Sequence, residues 1–415
     1  MSEAIKVVEN LEPDEPIEPL EPIGDIDEKP TVLSRFKQIP LTTLTVGGLY
    51  LLLLIIGTAT GVGLPFLLTG SLTWAGLWGL FALSNVPTIK GGMGPNFALP
   101  IGISAGIFSM VLSLGVFGMT GWGFIFLSAL LAIVFGCIGG VIYGILMNAA
   151  KGSEMAIATY TGFAVVFIFS IVWITIPIYH DQMTFFLGGG LRTFIALEPF
   201  DGNFILSNWG QFQLFPNEII NAETGETVRR IIGIERGGYF DYELMQYVGD
   251  VSFRGGVVVN TGKLLVFAVG CVLMWMFFRS KTGIAISAVG SNPMFAKATG
   301  INVNRSRIIA TMISTVLAAL GIIVYAQGFG NLQLYDAPLL MGFGSVAAIL
   351  VGGASARKGN VSNVVVGVLL FQGLMFTSMP VMQRVMPPGI IDPIRQTIQY
   401  GVIIYALSRM SGGGK

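Results

Sequence analysis

The stretch GGMGPNFALPIGISAGIFSMVLSLGVFGMTGWGFIFLSALLAIVFGCIGGVIYGILMNAA, residues 91–150, runs for 60 positions without Asp, Glu, Lys or Arg. A similar uncharged run of 52 residues, 38–89, precedes it. A helix needs about 20 apolar residues to cross a bilayer, so each run is long enough for two membrane spans. The strands of a membrane β-barrel would be shorter and would alternate in polarity. These runs therefore predict membrane helices.

The composition of the whole chain agrees with a membrane protein. Of its 415 residues, 53% are hydrophobic and only 11% are charged, whereas a soluble domain carries about 25% charged residues. Most of the chain is therefore expected to face lipid or protein. The formal net charge is zero, which leaves no basic surface for nucleic acid, and no nucleic-acid partner is expected.

Further uncharged runs follow, and together they predict an all-α, polytopic membrane bundle of about ten transmembrane helices. The first two runs are divided at Gly70-Ser71 and near 118–121. The predicted limits of the spans are 43–68, 71–88, 95–116, 121–147, 155–178, 260–278, 308–328, 338–356, 361–380 and 393–409.

Of the 23 Lys and Arg residues, 15 fall in the two terminal segments and in alternate loops, all on the same side of the predicted membrane. Because cytoplasmic loops carry the excess of Lys and Arg, this pattern predicts that both termini, and the segment 290–307, are cytoplasmic. The expected location is a cell membrane, crossed several times.

Two polar blocks complete the organisation. The first 30 residues hold 10 acids and five prolines, a composition typical of disorder. The second block, residues 179–259, is expected to be a large extracytoplasmic insertion, with a weak hairpin signal at Thr224-Gly225. The predicted parts are a disordered cytoplasmic tail (1–40), spans one to five (41–178), the insertion (179–259), and spans six to ten (260–410) with a cytoplasmic helix at 290–301.

Residues 91–100 combine Pro95 and Pro100 with three nearby glycines, which indicates a broken or late-starting helix. Unwound backbone is tolerated at membrane depth only where it is buried in protein or lines a cavity, so this segment is a candidate for the translocation path. A plain inner loop followed by a proline-bearing helix explains the pattern equally well. The candidate path residues are Asn85, Gly91, Gly92, Asn96, Phe97 and Gln372, for each of which helix packing is the alternative role.

Several kinds of chemistry are absent from the sequence. It has no phosphate-binding GxxxxGK[ST] motif, no HExxH pair and no Cys/His cluster. Cys137 and Cys271 fall inside spans and are expected to be packed thiols. No catalytic residue, metal site or cofactor is therefore predicted. The spans also lack the ionisable residues that ion-driven proteins keep in the membrane, so energy must come from outside the chain, or the chain is a passive channel.

The segment GSNPMFAKATGINVNRSR, 290–307, has helix signals at both ends. Asn292-Pro293 fits an N-cap followed by the first helical position, and Gly300 fits the left-handed stop. The helix between them would expose Met294 and Phe295 beside the positive charge of Lys297. Such a patch fits a groove in a partner, although packing against the chain's own span ends is equally compatible with the sequence.

Three segments carry a resemblance to a known family. They are SKTGIAISAVGSNPMFAKATGINVNRSRIIATMISTVLAALGI (280–322), GFGSVAAILVGGASARKGNVSNVVVGVLL (342–370) and GGMGPNFALPIGISAG (91–106). They resemble the ribose and branched-chain amino acid type permeases of prokaryotic ABC importers. The positions that match the first and most specific motif are Thr282, Gly283, Ala288, Gly290, Asn292, Pro293, Ala296, Gly300 and Ile301.

The resemblance implies that the 290–300 segment docks on a cytosolic ATPase subunit. It also implies a second permease chain, an extracytoplasmic solute-binding protein and a lipid membrane as partners. The implied coupling residues are Gly290, Asn292, Pro293, Met294, Phe295, Ala296, Lys297 and Gly300.

The resemblance implies a monosaccharide as the first candidate solute, followed by a nucleoside or a branched-chain amino acid. Sugar-transporting members of the family typically carry an Asp where Gly94 and Pro95 stand here, and the insertion is longer than the family pattern predicts. A passive channel and a non-transporting scaffold are the alternatives from other functional classes.

Overall fold

The computed structural model describes residues 40–178, 183–184, 190–197, 211–213, 218–220, 227–229, 239–241, 246–248 and 258–412. The predicted acidic tail and most of the predicted insertion lie outside these residues, as does the Thr224-Gly225 turn.

The described residues form mainly helices. In chain order these are α1 (Leu41–Ala59), α2 (Leu64–Leu83), α3 (Asn85–Lys90), α4 (Pro100–Gly115), α5 (Gly121–Ala149), α6 (Glu154–Thr175), α7 (Thr261–Phe277), α8 (Lys281–Ser291), α9 (Pro293–Ala298), α10 (Val303–Phe329), α11 (Ala337–Val351), α12 (Val361–Val385) and α13 (Pro388–Gly412).

Short strands occur between α6 and α7 and after α10. They are β1 (Phe194–Ala196), β2 (Gln211–Gln213), β3 (Glu218–Ile220), β4 (Thr227–Arg229), β5 (Tyr239–Asp241), β6 (Gln246–Val248), β7 (Val258–Asn260) and β8 (Asn331–Gln333). All pair antiparallel, as β1–β8, β2–β7, β3–β4 and β5–β6. The β3–β4 pair places Ile220 opposite Thr227, on either side of the predicted turn.

The helical class is confirmed, but the count of ten spans is not. Within the described part of the chain, six helices are long and apolar enough to cross a membrane, or seven if α7 and α8 form one span bent by 77°. Helices α4 and α11 have only 16 and 15 residues, short of the roughly 20 that a bilayer core requires. The predicted tenth span lies inside α13, which does not qualify as an apolar span.

The predicted break at Gly70-Ser71 is wrong, because both residues lie inside α2. The chain breaks earlier, at 60–63, where Gly61 adopts a φ of +85° that disfavours other residues. Gly70 instead serves packing, since a Cβ there would collide with the ring of Phe376 on α12. A glycine in the sequence therefore does not show by itself whether it ends a helix or allows close packing.

Helices α2, α10 and α12 lie at the centre of the bundle, while α1, α5 and α6 expose most of their apolar surface. Glycines allow α5 and α10 to approach closely, as is usual for membrane helices. The hydroxyl of Thr311 donates to the Gly140 carbonyl at 3.0 Å, and that of Thr315 to the Gly136 carbonyl at 2.8 Å. These bonds fix α10, which carries the α8–α9 segment at its N-terminal end.

Candidate functional site

The predicted short helix at 293–299 is present as α9, and its ends have the predicted caps. The Asn292 side chain accepts a hydrogen bond from the Phe295 N–H at 3.0 Å, and Pro293 occupies the first turn. Gly300 has a φ of +84°. The Gly300 and Ile301 amides donate to the carbonyls of Lys297 and Ala296, which is the Schellman arrangement. These bonds hold a two-turn helix that would be marginal alone.

Helix α9 presents its apolar side chains outward. Met294 is 85% exposed and Phe295 is 64% exposed, whereas Ala296 is fully buried against the bundle. Ala298 and Lys297 are also exposed. The alternative expectation, that the patch packs on the chain's own span ends, is therefore wrong: only Ala296 does so within this helix.

Helix α8 joins this exposed end to the interior. Its Gly290 lies against the end of α3, where a Cβ would collide with the Lys90 carbonyl oxygen and the backbone of Gly92. The ammonium of Lys90 lies 4.3 Å from the centre of the Phe278 ring, just before α8, a cation–π distance. The contact between α8 and α3 is thus close and backbone to backbone.

A buried polar network begins at the other end of α3. The Asn85 side chain accepts from the Asn96 N–H at 3.0 Å and donates to the Ser345 hydroxyl at 3.3 Å. The Asn96 side chain donates to the Ser314 hydroxyl at 2.8 Å and accepts from the Ala98 N–H at 2.9 Å. Asn85 and Asn96 are at most 1% exposed. The network connects α3, α10 and α11.

The predicted broken helix at 91–100 is also present. Residues 91–99 are irregular, Gly92 and Gly94 have φ values of +74° and +81°, and α4 begins at Pro100. Nearly all of the segment is buried, and the Phe97 ring lies 6.0 Å from that of Phe343. Irregular backbone therefore occurs where it is enclosed by protein, as its cost in lipid requires.

The structure brings together five of the six predicted path residues. Gly91, Gly92, Asn96 and Phe97 share the 91–99 segment, and Asn85 is bonded to it. Gln372 is separate: it lies on α12, is 1% exposed, and its Nε2 has no hydrogen-bond partner among the described residues.

Ser314 and Ser345 were not predicted as members of this site. A serine inside an apolar helix is too common a signal to select them from sequence. In this conformation the asparagine side chains of the network are hydrogen-bonded rather than facing an open path.

Comparison with known proteins gives a match over most of the chain. The sequence profile of the family described as "Branched-chain amino acid transport system / permease component" matches residues 67–407. This range runs from within α2 to within α13 and includes the α8–α9 segment and the polar network. No solved structure matches the chain at a significant level.

Three curated relatives differ in the solute that their names give. The chain is 27% identical over 156 residues to the nucleoside ABC transporter permease protein NupB of Lactococcus lactis, covering 37% of this chain and 41% of NupB. It is 24% identical over 227 residues to the probable branched-chain amino acid permease protein LivH of Methanocaldococcus jannaschii, covering 50% and 68%. It is 31% identical over 108 residues to the guanosine ABC transporter permease protein NupQ of Bacillus subtilis, covering 25% and 34%. The chain thus matches about two fifths of NupB's length.

Proposed function

Since this chain belongs to the branched-chain amino acid transport system / permease component family, we propose that it forms the membrane path of an ABC importer for a small polar solute. The family is one of multi-pass membrane permease components, and ATP hydrolysis is assigned to a separate cytosolic subunit. A second permease chain and an extracytoplasmic solute-binding protein complete the proposed assembly. A monosaccharide is the first candidate solute, with nucleosides and branched-chain amino acids next.

The proposed orientation places α9 in the cytoplasm. Exposed cations concentrate at this end of the bundle, on α8, α9, the start of α10 and the loop before α12. They are Lys281, Lys297, Arg305, Arg357 and Lys358. The loop belongs to the same end, because its Ala356 carbonyl lies near Gly94. Cytoplasmic loops carry such an excess, so both termini are assigned to the cytoplasm and the 179–259 insertion to the outside.

The exposure of Met294 and Phe295 is the observation that carries the proposal. A fully buried side chain of this size contributes about 1.5–3 kcal/mol relative to an exposed one. Here two such side chains project from a helix whose ends are capped and whose Ala296 is seated in the bundle. A groove on the ATPase would cover them. A passive channel has no use for such a helix.

The contacts of α8 suggest how movement of the ATPase reaches the solute path. A displacement of α9 moves α8, and Gly290 presses directly on the backbone of Lys90 and Gly92. Helix α3 then shifts Asn85, whose side chain holds the 91–99 segment and α11. We propose that the network breaks and re-forms as the path changes access, since packed interfaces switch between discrete arrangements.

The experiment is co-purification of the ATPase with the Phe295→Asp variant. A carboxylate in an apolar groove carries a large desolvation cost, so we expect the ATPase to be lost while the chain remains in the membrane. The matched control is Asn302→Asp, which adds the same charge at an exposed position outside the 290–300 segment and keeps a side-chain oxygen to cap α10. Retention of the ATPase by the control but not by Phe295→Asp supports the proposal; retention by both overturns the docking assignment.

A further inference from the structure

Glu154 at the start of α6 and Arg307 near the start of α10 form an ion pair at the end of α10 that carries α9. The Nη1 of Arg307 lies 3.3 Å from the Oε1 of Glu154. The other carboxylate oxygen accepts a hydrogen bond from the Gly152 N–H at 2.9 Å. Arg307 is only 7% exposed, and salt screens such a pair less than one on the surface. The pair therefore links the two helices closely.

Helix α10 is joined to α5 and to α6 in different ways. Hydrogen bonds to α5 recur along α10, from the hydroxyls of Thr311 and Thr315 to glycine carbonyls. Helix α6 packs mainly on α4. In the described part of the chain, the hydrogen bond between α6 and α10 is that of Glu154 and Arg307. The position of α6 relative to α10 therefore depends on this pair.

Helix α6 lies directly against the irregular 91–99 segment. A Cβ at Gly162 would lie 2.6 Å from the Phe97 carbonyl oxygen, and a Cβ at Gly94 would lie 3.1 Å from the methyl group of Met155. Met155 follows the ion-paired carboxylate in sequence, so the ion pair and the contact with Gly94 share the first turn of α6.

The segment is thus contacted by two helices at neighbouring residues. A Cβ at Gly92 would lie 2.9 Å from the Cα of Gly290 on α8, while Gly94 lies against Met155 on α6. Both glycines of the segment have positive φ values and no side chain that could absorb a displacement. A shift passed on by α8 changes the shape of the segment only if α6 stays in place; otherwise α6 moves with the segment.

We propose that Glu154 and Arg307 are positioning residues, whose ion pair fixes α6 to α10 so that α6 is the stationary wall of the 91–99 segment during transport. This inference rests on the proposed import function, and it gives the pair a role beyond stability. The two residues act through α6 and need no contact with the solute.

The first test is hydrogen–deuterium exchange of the purified chain with Arg307→Gln, which removes the buried charge. If the pair fixes α6, the amides of 91–99 exchange about two- to thirtyfold faster, the range expected for coupled changes between sites. A pair that stabilises only its own surroundings raises exchange at 150–157 and 303–310 alone, and that result overturns the proposal. The matched control is Lys151→Gln, which removes the same charge from an exposed position before α6 and should exchange like the wild type.

The second test is the ratio of solute accumulated to ATP hydrolysed in liposomes that contain the chain, the ATPase and the binding protein. Radiolabelled D-galactose, guanosine and L-leucine are the probes. With Arg307→Gln we expect the ATPase to bind and hydrolyse ATP as before, because α9 is unchanged, while the ratio falls about two- to thirtyfold. A purely structural pair leaves the ratio of the folded complex unchanged, and an unchanged ratio overturns the positioning role.

The conservative variant Arg307→Lys keeps the positive charge. Because the ion pair consists of one N–O contact at 3.3 Å, an ammonium can replace the guanidinium. We expect exchange in the 91–99 segment and the transport ratio to return most of the way to the wild-type values. Values as far from the wild type as those of Arg307→Gln would contradict a role for the charge pair.

A double variant covers the case in which Arg307→Gln fails to fold. Glu154→Gln combined with Arg307→Gln leaves neither charge buried without its partner, which is the costly arrangement. Since the two residues act as one unit, we expect the double variant to show the same faster exchange and lower ratio as the single variant. Wild-type exchange in the double variant would contradict the proposal.

The exchange experiment separates this inference from the import function itself. Wild-type liposomes that accumulate none of the three solutes would overturn the proposed import of these solutes. The exchange of the 91–99 amides is measured on the chain alone, so it still decides whether the ion pair holds α6 against the segment.

Discussion

Helix α9 and the 91–99 segment contain the same residue types in opposite surroundings. Both combine Asn, Pro and Gly near a helix boundary. In α9 these residues hold an exposed helix whose apolar Met294 and Phe295 face outward. In the 91–99 segment they hold buried irregular backbone around the hydrogen-bonded side chain of Asn96. One region leaves apolar surface uncovered, and the other encloses polar groups.

This difference indicates that the two regions have different functions. Uncovered apolar surface on a rigid helix calls for a partner outside the chain, while enclosed polar groups at a helix break suit a path inside it. The two regions are joined by one close contact, Gly290 against Lys90 and Gly92. The comparison can therefore be tested with three kinds of variant. One kind disrupts the Gly290 contact, one weakens a single region, and one leaves both regions intact.

The largest effect is expected from Gly290→Val, which places a larger side chain in the close contact between the two regions. Overpacking costs about 1–3 kcal/mol, and a coupling change of that size corresponds to about 5- to 150-fold in a linked equilibrium. We expect uptake to fall within this range while the ATPase still co-purifies, because α9 is unchanged. ATP-driven uptake is the measurement.

The control for this variant is Gly48→Val, which makes the same substitution inside α1. A Cβ at Gly48 meets no atom within 4 Å. Normal uptake in Gly48→Val with reduced uptake in Gly290→Val supports transmission through α8. Equal uptake in both variants would show that the two regions act independently.

A smaller effect is expected from Asn85→Leu, which removes the central acceptor of the buried region. The Asn96 N–H then loses its partner, at a cost of about 1–3 kcal/mol. We expect a lower melting temperature in detergent and unchanged ATPase binding. The matched variant Ser345→Ala removes the bond from Asn85 and the bond to the Gly342 carbonyl but leaves Asn85 bonded to Asn96, so its melting temperature should fall less. A larger fall in Ser345→Ala would contradict this arrangement of the network.

The smallest effect is expected from deletion of residues 1–28. Their composition, with ten acids among the first 30 residues, is typical of disorder, and the family profile begins only at residue 67. We expect normal uptake at normal expression. Reduced uptake at matched expression would add a third functional region to the two compared here.

The local structure of α9 was predictable, because its caps depend on residues adjacent in sequence. Asn292, Pro293 and Gly300 specify the start and end of the helix without help from the rest of the fold. The break before α4 was predictable for the same reason, from Pro95, Pro100 and the neighbouring glycines. The helical class followed from the long uncharged runs.

Other features depend on packing between distant segments and could not be predicted in this way. Gly70 looked like a helix break but accommodates Phe376, about 300 positions later in the chain. The short lengths of α4 and α11 reduced the number of candidate spans.

The most direct test of the account is solute accumulation by the purified chain in liposomes, measured with radiolabelled D-galactose and guanosine. Vesicles that also contain the ATPase and the binding protein are predicted to accumulate one of the solutes above its external concentration when ATP is supplied. Vesicles that contain the chain alone are predicted not to accumulate either solute. Uphill accumulation by the chain alone would contradict the claim that its energy comes through α9.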